Sequence, residues 1–276
     1  MVPPTLAVVS TSHSTTHSWD PVQYSRFADE RDRPFRSLLA RVPEDAAPRT
    51  VVDLGCGPGR GLRRLQRRWP EADVLGIDSS PEMVRTARES GARVQERDLR
   101  DWVRAPETEP VDLLVSTATL HWVPDHLELL PEMVAKVAPG GWLAMTVPGN
   151  FDKLSHVLPR RLAARPEYAE HLTGVVRPAS HDPITYLRTL AGAGCVVDAW
   201  ESTYLHILDP EGQDPDPVFS WIAATGAGPT LEALPPDVRP AFEEELKAGL
   251  RTAYPRTDFG VVLPFRRVFA VAHVPD

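Results

Sequence analysis

The stretch VVDLGCGPGRG, Val51 to Gly61, constrains the fold more than any other part of the chain. An apolar run is followed at once by Gly55, Gly57, Gly59 and Gly61. Glycine lets the backbone turn sharply and come close to a ligand, at a cost in folding entropy. A buried strand that breaks into such a turn and then enters a helix, here RGLRRLQRRWP up to Pro70, is a frame for a nucleotide-like ligand.

The segments that follow repeat the alternation. DVLGID reads as a second strand, and SSPEMVRTARESG as a helix with an N-cap serine, an early proline and a closing glycine. ARVQERD and VDLLVSTA are the third and fourth strands, HLELLPEMVAKVAPGG is helical, and WLAMTV is the fifth strand. Before the glycine turn, FRSLLARV offers an apolar helical face that stops at Pro43. Later, CVVDAWESTYLHIL and VVLPFRRVFAVAHV read as two final strands. The expected fold is α/β: a doubly wound, mostly parallel seven-stranded sheet of Rossmann-like type. Residues 1–18 are expected to form a loose tail and residues 19–276 one domain, with helical insertions at about 150–192 and 210–256 expected to cap the strand ends.

A chain of 276 residues, 42% apolar, can bury one large core. Its formal net charge of −8 argues against nucleic acid as a partner. Cys56 and Cys195 are too few for a disulfide scaffold, which fits a reducing cytosol. No run reaches the roughly 20 apolar residues of a membrane helix. The opening residues lack a basic segment ahead of an apolar one, so no signal peptide is read there. The expectation is a cytoplasmic protein that engages neither membrane nor nucleic acid; protein partners are left open.

The ligand follows from charge. A Walker-type loop needs Gly-Lys-Ser/Thr, which GPGRG lacks. A dinucleotide fingerprint needs glycine at its sixth position, where Arg60 stands, and Asp53 would repel a diphosphate. S-adenosylmethionine carries an ammonium, a carboxylate and a sulfonium but no phosphate. Asp53 suits its ammonium, and the turn of Gly55, Cys56 and Gly57 suits its methionine part. Asp78, ahead of Ser79, suits two vicinal ribose hydroxyls. Asp98 suits the adenine amino group, and the Leu99 backbone N–H the ring. Each acid taken singly is equally readable as a helix cap or a solvated loop end.

The ordered set DLGCGPG, GIDSS and RDL resembles the class I S-adenosylmethionine-dependent methyltransferases. Longer blocks, WDPVQYSRFADERDRPFRSLLARVP, RWPEADVLGIDSSPEM, LHWVPDH, AGCVVDAW, TYLH, WIAATG and FRRVFAVA, are similar to the trans-aconitate 2-methyltransferase family. The resemblance implies methyl transfer from S-adenosylmethionine to a carboxylate of trans-aconitate, a small anionic acceptor, giving a monomethyl ester and S-adenosylhomocysteine. The alternative is O-methylation of another small or carrier-bound carboxylic acid. Arg60 stands where a small polar residue is expected, and Gly149 where an acid is expected. An NAD-dependent oxidoreductase and a non-catalytic sensor of the cofactor are the readings from other classes. Nucleic-acid methylation would call for an Asn/Asp-Pro-Pro-aromatic element, which the chain lacks.

A carboxylate acceptor, with an ordinary pKa near 4, is already ionised at neutral pH and needs no general base. The protein has to hold oxygen, methyl and sulfur in line, an arrangement worth about 7–11 kcal/mol in the best intramolecular cases. Arginine forks hold polycarboxylates without losing charge. Arg31, Arg33 and Arg267 are the candidate anchors, with Tyr204 and His206, which share one strand face. A surface ion pair for Arg31 and a partly exposed sheet face for Tyr204 and His206 are the alternatives. Trp19 and Tyr24 are placed over the cofactor or in the core. His121 and Trp122 follow the fourth strand at the mouth of the site, and His121 is read as a positioning group. The histidines show no zinc-ligand spacing, and no metal is expected.

Overall fold

The computed structural model describes residues 28–276, with side chains from Asp32 onward. The apolar runs of the first half form parallel strands because helices cover both of their faces. The strands are β1 (Thr50–Leu54), β2 (Asp73–Asp78), β3 (Val94–Glu96), β4 (Val111–Thr117) and β5 (Val137–Pro148), then β6 (Val196–Leu208), β7 (Arg256–Thr257) and β8 (Gly260–His273). Their order is β3-β2-β1-β4-β5-β8-β6, with the two-residue β7 paired to the start of β8. The strands β1 to β5 are mutually parallel, and β8 runs antiparallel between β5 and β6. The expected seven-stranded sheet is therefore present, with β7 added at its rim.

One boundary differs from expectation. The helix begun by HLELLPEMV ends at Val134, and Val137 already belongs to β5. The expected helical stretch runs on to Gly141, but Gly140 lies at φ +75°, and backbone pairing to Val111 and Val274 draws Val137 to Gly141 into the sheet.

Alternate side chains of the strands feed two apolar layers. Val52, Leu54, Ile77, Leu114 and Met145 pack with Leu130, Met133, Tyr186 and Leu190 on one face. Val51, Leu113, Val115 and Phe269 pack with Leu38, Leu62, Leu65 and Val84 on the other. Asp53 shares the parity of Val51, so its carboxylate points toward the helix Arg60–Arg68.

The strands β6 and β8 are paired from Val196↔His273 to Leu208↔Val261 and run on past the other strand ends. There Leu208, Val261, Leu263 and Phe265 join Leu162, Trp221, Phe242 and Leu246 in a third apolar cluster. Helices Leu154–Ala163, Pro217–Ala223 and Arg239–Ala253 supply that cluster. Among the described residues no helix is long and apolar enough to cross a membrane.

Candidate active site

At the boundary between β1 and β4 the chain reverses its direction of sheet winding, and ligands of open α/β sheets lie outside the strands' carboxyl ends at such a point. A cavity of about 360 Å³ opens there, walled by Gly57, Asp78, Ser79, Asp98, Leu99 and Trp122 among others. The Asp78 carboxylate ties this wall together. It accepts from the Gly57 backbone N–H at 2.8 Å and from the Ser80 backbone N–H at 2.9 Å. Burial raises its pKa above the usual carboxylate range, and these backbone donors offset part of that rise. Asp98 caps the helix Leu99–Arg104, accepting from the Arg100 backbone N–H at 2.7 Å and from its guanidinium Nη2 at 2.8 Å. The Arg100 side chain holds that carboxyl below its ordinary range. The helix-cap alternative is thus realised at Asp98, and the residue still lies on the cavity wall.

Beside the glycine turn a smaller cavity of about 90 Å³ is walled by Asp32, Asp53, Cys56, Arg60 and Arg64 among others. Asp53 is only 1% exposed, and its Oδ1 has no hydrogen-bond partner among the described residues. Burial, and then the charge of Asp78, lifts its carboxyl to about 7. A buried carboxylate without donors is costly, and a cationic donor relieves that cost. The site therefore fits the ammonium end of S-adenosylmethionine. Cys56 packs its Sγ against the bare Cα of Gly76, and burial together with Asp53 and Asp78 pushes its thiol up, away from nucleophilic character.

The loop after β4 closes the turn from above. Gly55 lies at φ +78°, and a Cβ there would stand 2.1 Å from Thr119 Oγ1. Ala118 takes a left-handed conformation, φ +52°, that non-glycine residues seldom adopt. This bend leads into the 3₁₀ turn Leu120–Trp122.

Beyond Ala118 and Trp122, which line both spaces, lies a third cavity of about 50 Å³. His121, Phe151, His156, Gly226 and Arg267 stand on its walls. Arg267 is 6% exposed, with its guanidinium 5.2 Å from the centre of the Phe265 ring. It is the single charged residue in the alternating buried row Val261, Leu263, Phe265, Arg267, Phe269 and Val271. His121 is buried, and its Nδ1 has no hydrogen-bond partner among the described residues. Burial, followed by the charges of Arg267, His126 and His156, keeps His121 well below its ordinary pKa and so neutral. A fixed cation beside a neutral imidazole is an anion-holding arrangement.

The protein whose parts these are has close relatives. Its residues 51–141 match the family model described as "Methyltransferase domain". The trans-aconitate 2-methyltransferase of Streptomyces avermitilis is 48% identical, over 93% of this chain and 97% of that one. That of Rhodococcus jostii is 47% identical, over 93% and 99%. The chain belongs to the trans-aconitate 2-methyltransferase family. Among solved structures, a SAM-dependent methyltransferase from Archaeoglobus fulgidus aligns with TM-score 0.50 and 16% identity, over 91% of this chain and 98% of that one. The YcgJ protein of a Bacillus species aligns with TM-score 0.52 and 13% identity, over 90% and 99%. At such identities the likeness speaks for the fold alone.

Not every residue singled out from the sequence of this trans-aconitate 2-methyltransferase family member reaches the cavities. Trp19 and Tyr24, and the side chain of Arg31, lie outside the described residues. Arg33 is exposed and stacks over the Tyr204 ring at 5.2 Å. Tyr204 and His206 do share a face, as their spacing requires, but neither lines the cavity that holds Arg267. The Tyr204 hydroxyl donates to Ser37 Oγ at 2.9 Å, and His206 is stacked on Trp221 at 4.9 Å. At Gly149, where an acid was expected, a Cβ would come within 3.2 Å of Arg266, whose guanidinium pairs with Asp182 and Glu201. Reading the sequence missed Thr119, His156 and Gly226. Gly226 closes the block WIAATG, but no role was attached to it, and Thr119 and His156 carry no local motif; spatial position is what marks all three.

Proposed function

We propose that this protein transfers a methyl group from S-adenosylmethionine to a carboxylate of trans-aconitate or a close tricarboxylate, giving a monomethyl ester and S-adenosylhomocysteine. The observation that carries the reading is the buried Arg267 beside neutral His121, in a cavity that shares Ala118 and Trp122 with the crevice at the strand ends. The names of the curated relatives support the acceptor.

Asp53, Gly55, Cys56, Gly57, Asp78, Ser79, Asp98 and Leu99 would hold the cofactor, with Tyr24 from the segment outside the described residues. When bound, S-adenosylmethionine supplies an electrophilic methyl on a sulfonium whose departure leaves a neutral thioether. Asp53 meets the ammonium, and Asp78 accepts from the ribose hydroxyls with lone pairs that its two backbone donors leave over. Arg267 fixes the acceptor acid without deprotonating. His121, being neutral, donates a hydrogen bond or orients Trp122, and neither residue has a proton to remove. Helices within about 150–192 and 210–256 serve as the lid that excludes water. A cytoplasmic location and a small anionic acceptor, without membrane or nucleic-acid partners, belong to the same reading.

The test is incubation with S-adenosylmethionine and a panel of di- and tricarboxylates, followed by mass spectrometry. A methyl ester of trans-aconitate formed in step with S-adenosylhomocysteine supports the reading. Cofactor binding with no ester from any acid overturns it.

A further inference from the structure

The acceptor cavity has one polar wall that the reading above leaves unused. His156 sits in the first turn of the helix Leu154–Ala163 and lines the cavity together with Arg267 and Gly226. Its ring is held edge-on to Phe151 at 5.2 Å, and its Nδ1 lies 3.1 Å from Ser155 Oγ. Ser155 is 3% exposed, and among the described residues its hydroxyl has no other hydrogen-bond partner. A buried hydroxyl keeps its proton donated, so Nδ1 is the acceptor and the imidazole hydrogen resides on Nε2. Burial, with Arg160 close by, draws this imidazole down to about 4, so it is neutral near pH 7.

Nε2 faces Gly226. A Cβ at that glycine would stand 3.2 Å from Nε2 and 3.4 Å from Cδ2. The bare Cα leaves room in front of the N–H, on the side of the cavity that Arg267 also lines. A polycarboxylate carries more anionic oxygens than one guanidinium can pair, so a second fixed donor has a defined use there.

We propose that His156 holds the acceptor acid, its Nε2–H donating to a carboxylate, and that Gly226 keeps open the space this carboxylate fills. The inference rests on the carboxylic-acid reading of the site. It makes His156 and Gly226 determinants of which acid is accepted.

The test compares His156→Leu, His156→Gln and Gly226→Ala with the parent protein. Kinetics with trans-aconitate and with a monocarboxylate are joined by calorimetric titration of each acid in the presence of S-adenosylhomocysteine. His156→Leu is expected to raise the KM and Kd for trans-aconitate at least tenfold, with the KM for S-adenosylmethionine changed less than twofold. Glutamine, whose amide places an N–H near the Nε2 position, is expected to recover part of that loss. Gly226→Ala is expected to weaken the tricarboxylate more than the monocarboxylate. An unchanged acid affinity in His156→Leu overturns the inference. So does an equal loss for both His156 variants, with a lowered Tm and equal effects on acid and cofactor, because that pattern describes a structural prop. If the parent binds an acid but transfers no methyl, the proposed function alone falls; if it binds none, both fall.

Discussion

Asp53 and Gly61 are packed so closely that a Cβ at Gly61 would lie 2.7 Å from Asp53 Oδ2. The carboxylate at the end of β1 thus requires a bare Cα in the first turn of the helix that follows. The Phe35 ring, 3.4 Å from the same point, closes off the other direction of escape. Gly61→Ala should therefore destabilise by about 1–3 kcal/mol, the usual range for overpacking. It should also weaken S-adenosylmethionine binding by displacing Asp53. Thermal unfolding and cofactor titration measure both effects; a variant with parental Tm and parental affinity would remove Gly61 from this role.

Asp53 makes stability depend on pH with an unusual sign. Its folded carboxyl is raised from 3.8 to about 7. Between those values the folded state binds the extra proton, so this group's contribution to stability is present below about pH 4, declines as pH rises, and is fully lost above about 7. Asp53→Asn should gain stability relative to the parent as pH increases across that window, by an amount on the order of a few kcal/mol, and its Tm should rise relative to the parent's. Affinity of the parent for S-adenosylhomocysteine should rise up to about pH 7, because an ammonium partner favours the ionised carboxylate. Parallel Tm–pH curves for parent and variant would contradict the assignment.

Arg267 should separate the acceptor from the cofactor. Arg267→Ala is expected to raise the KM for the acid far more than that for S-adenosylmethionine. Arg267→Lys should recover little, since an ammonium cannot reproduce a planar fork. Because the Arg267 charge helps hold His121 neutral, its removal should also let the His121 pKa rise, which a histidine C–H NMR titration reads directly. Equal KM effects on both substrates would move Arg267 out of the acceptor cavity.

His121→Ala should leave a largely flat rate profile from about pH 6 to 9. A carboxylate nucleophile has no proton to lose in that range, and a buried neutral imidazole has none to give. The comparison is of kcat/KM for the acid against pH for parent and variant, at S-adenosylmethionine concentrations that saturate the protein at every pH, so that titration of Asp53 does not enter. A steep alkaline rise in the parent that disappears in the variant would make His121 a base after all.

Much of the crevice at the strand ends was legible in the chain because its parts are local. A strand, a glycine turn and the acids Asp53, Asp78 and Asp98 at successive strand ends carry their own spacing, and the sheet needs only parallel order to line them up. The end of the helix before β5 shows the limit: Pro139, Gly140 and Gly141 signal a turn, while pairing to β4 and β8 makes them part of a strand. Arg267 was visible as a charged residue within an alternating apolar row. Tyr204 and His206 have the same alternation, but what meets them comes from distant parts of the chain: Ser37 Oγ accepts from the Tyr204 hydroxyl, and Trp221 stacks on the His206 ring.

By itself the order of residues determined the α/β alternation and the electrical character of the glycine turn, since both rest on contacts within a few tens of residues. The cavity that holds Arg267 was decided only in three dimensions. His121 comes from the loop after β4, His156 from a cap helix, Gly226 from the turn after another, and Arg267 from the last strand. No spacing rule links four such positions. Packing of the cap onto the extended β6–β8 pair brings them to one wall, and the burial that this packing creates also keeps His121 and His156 neutral beside the arginine.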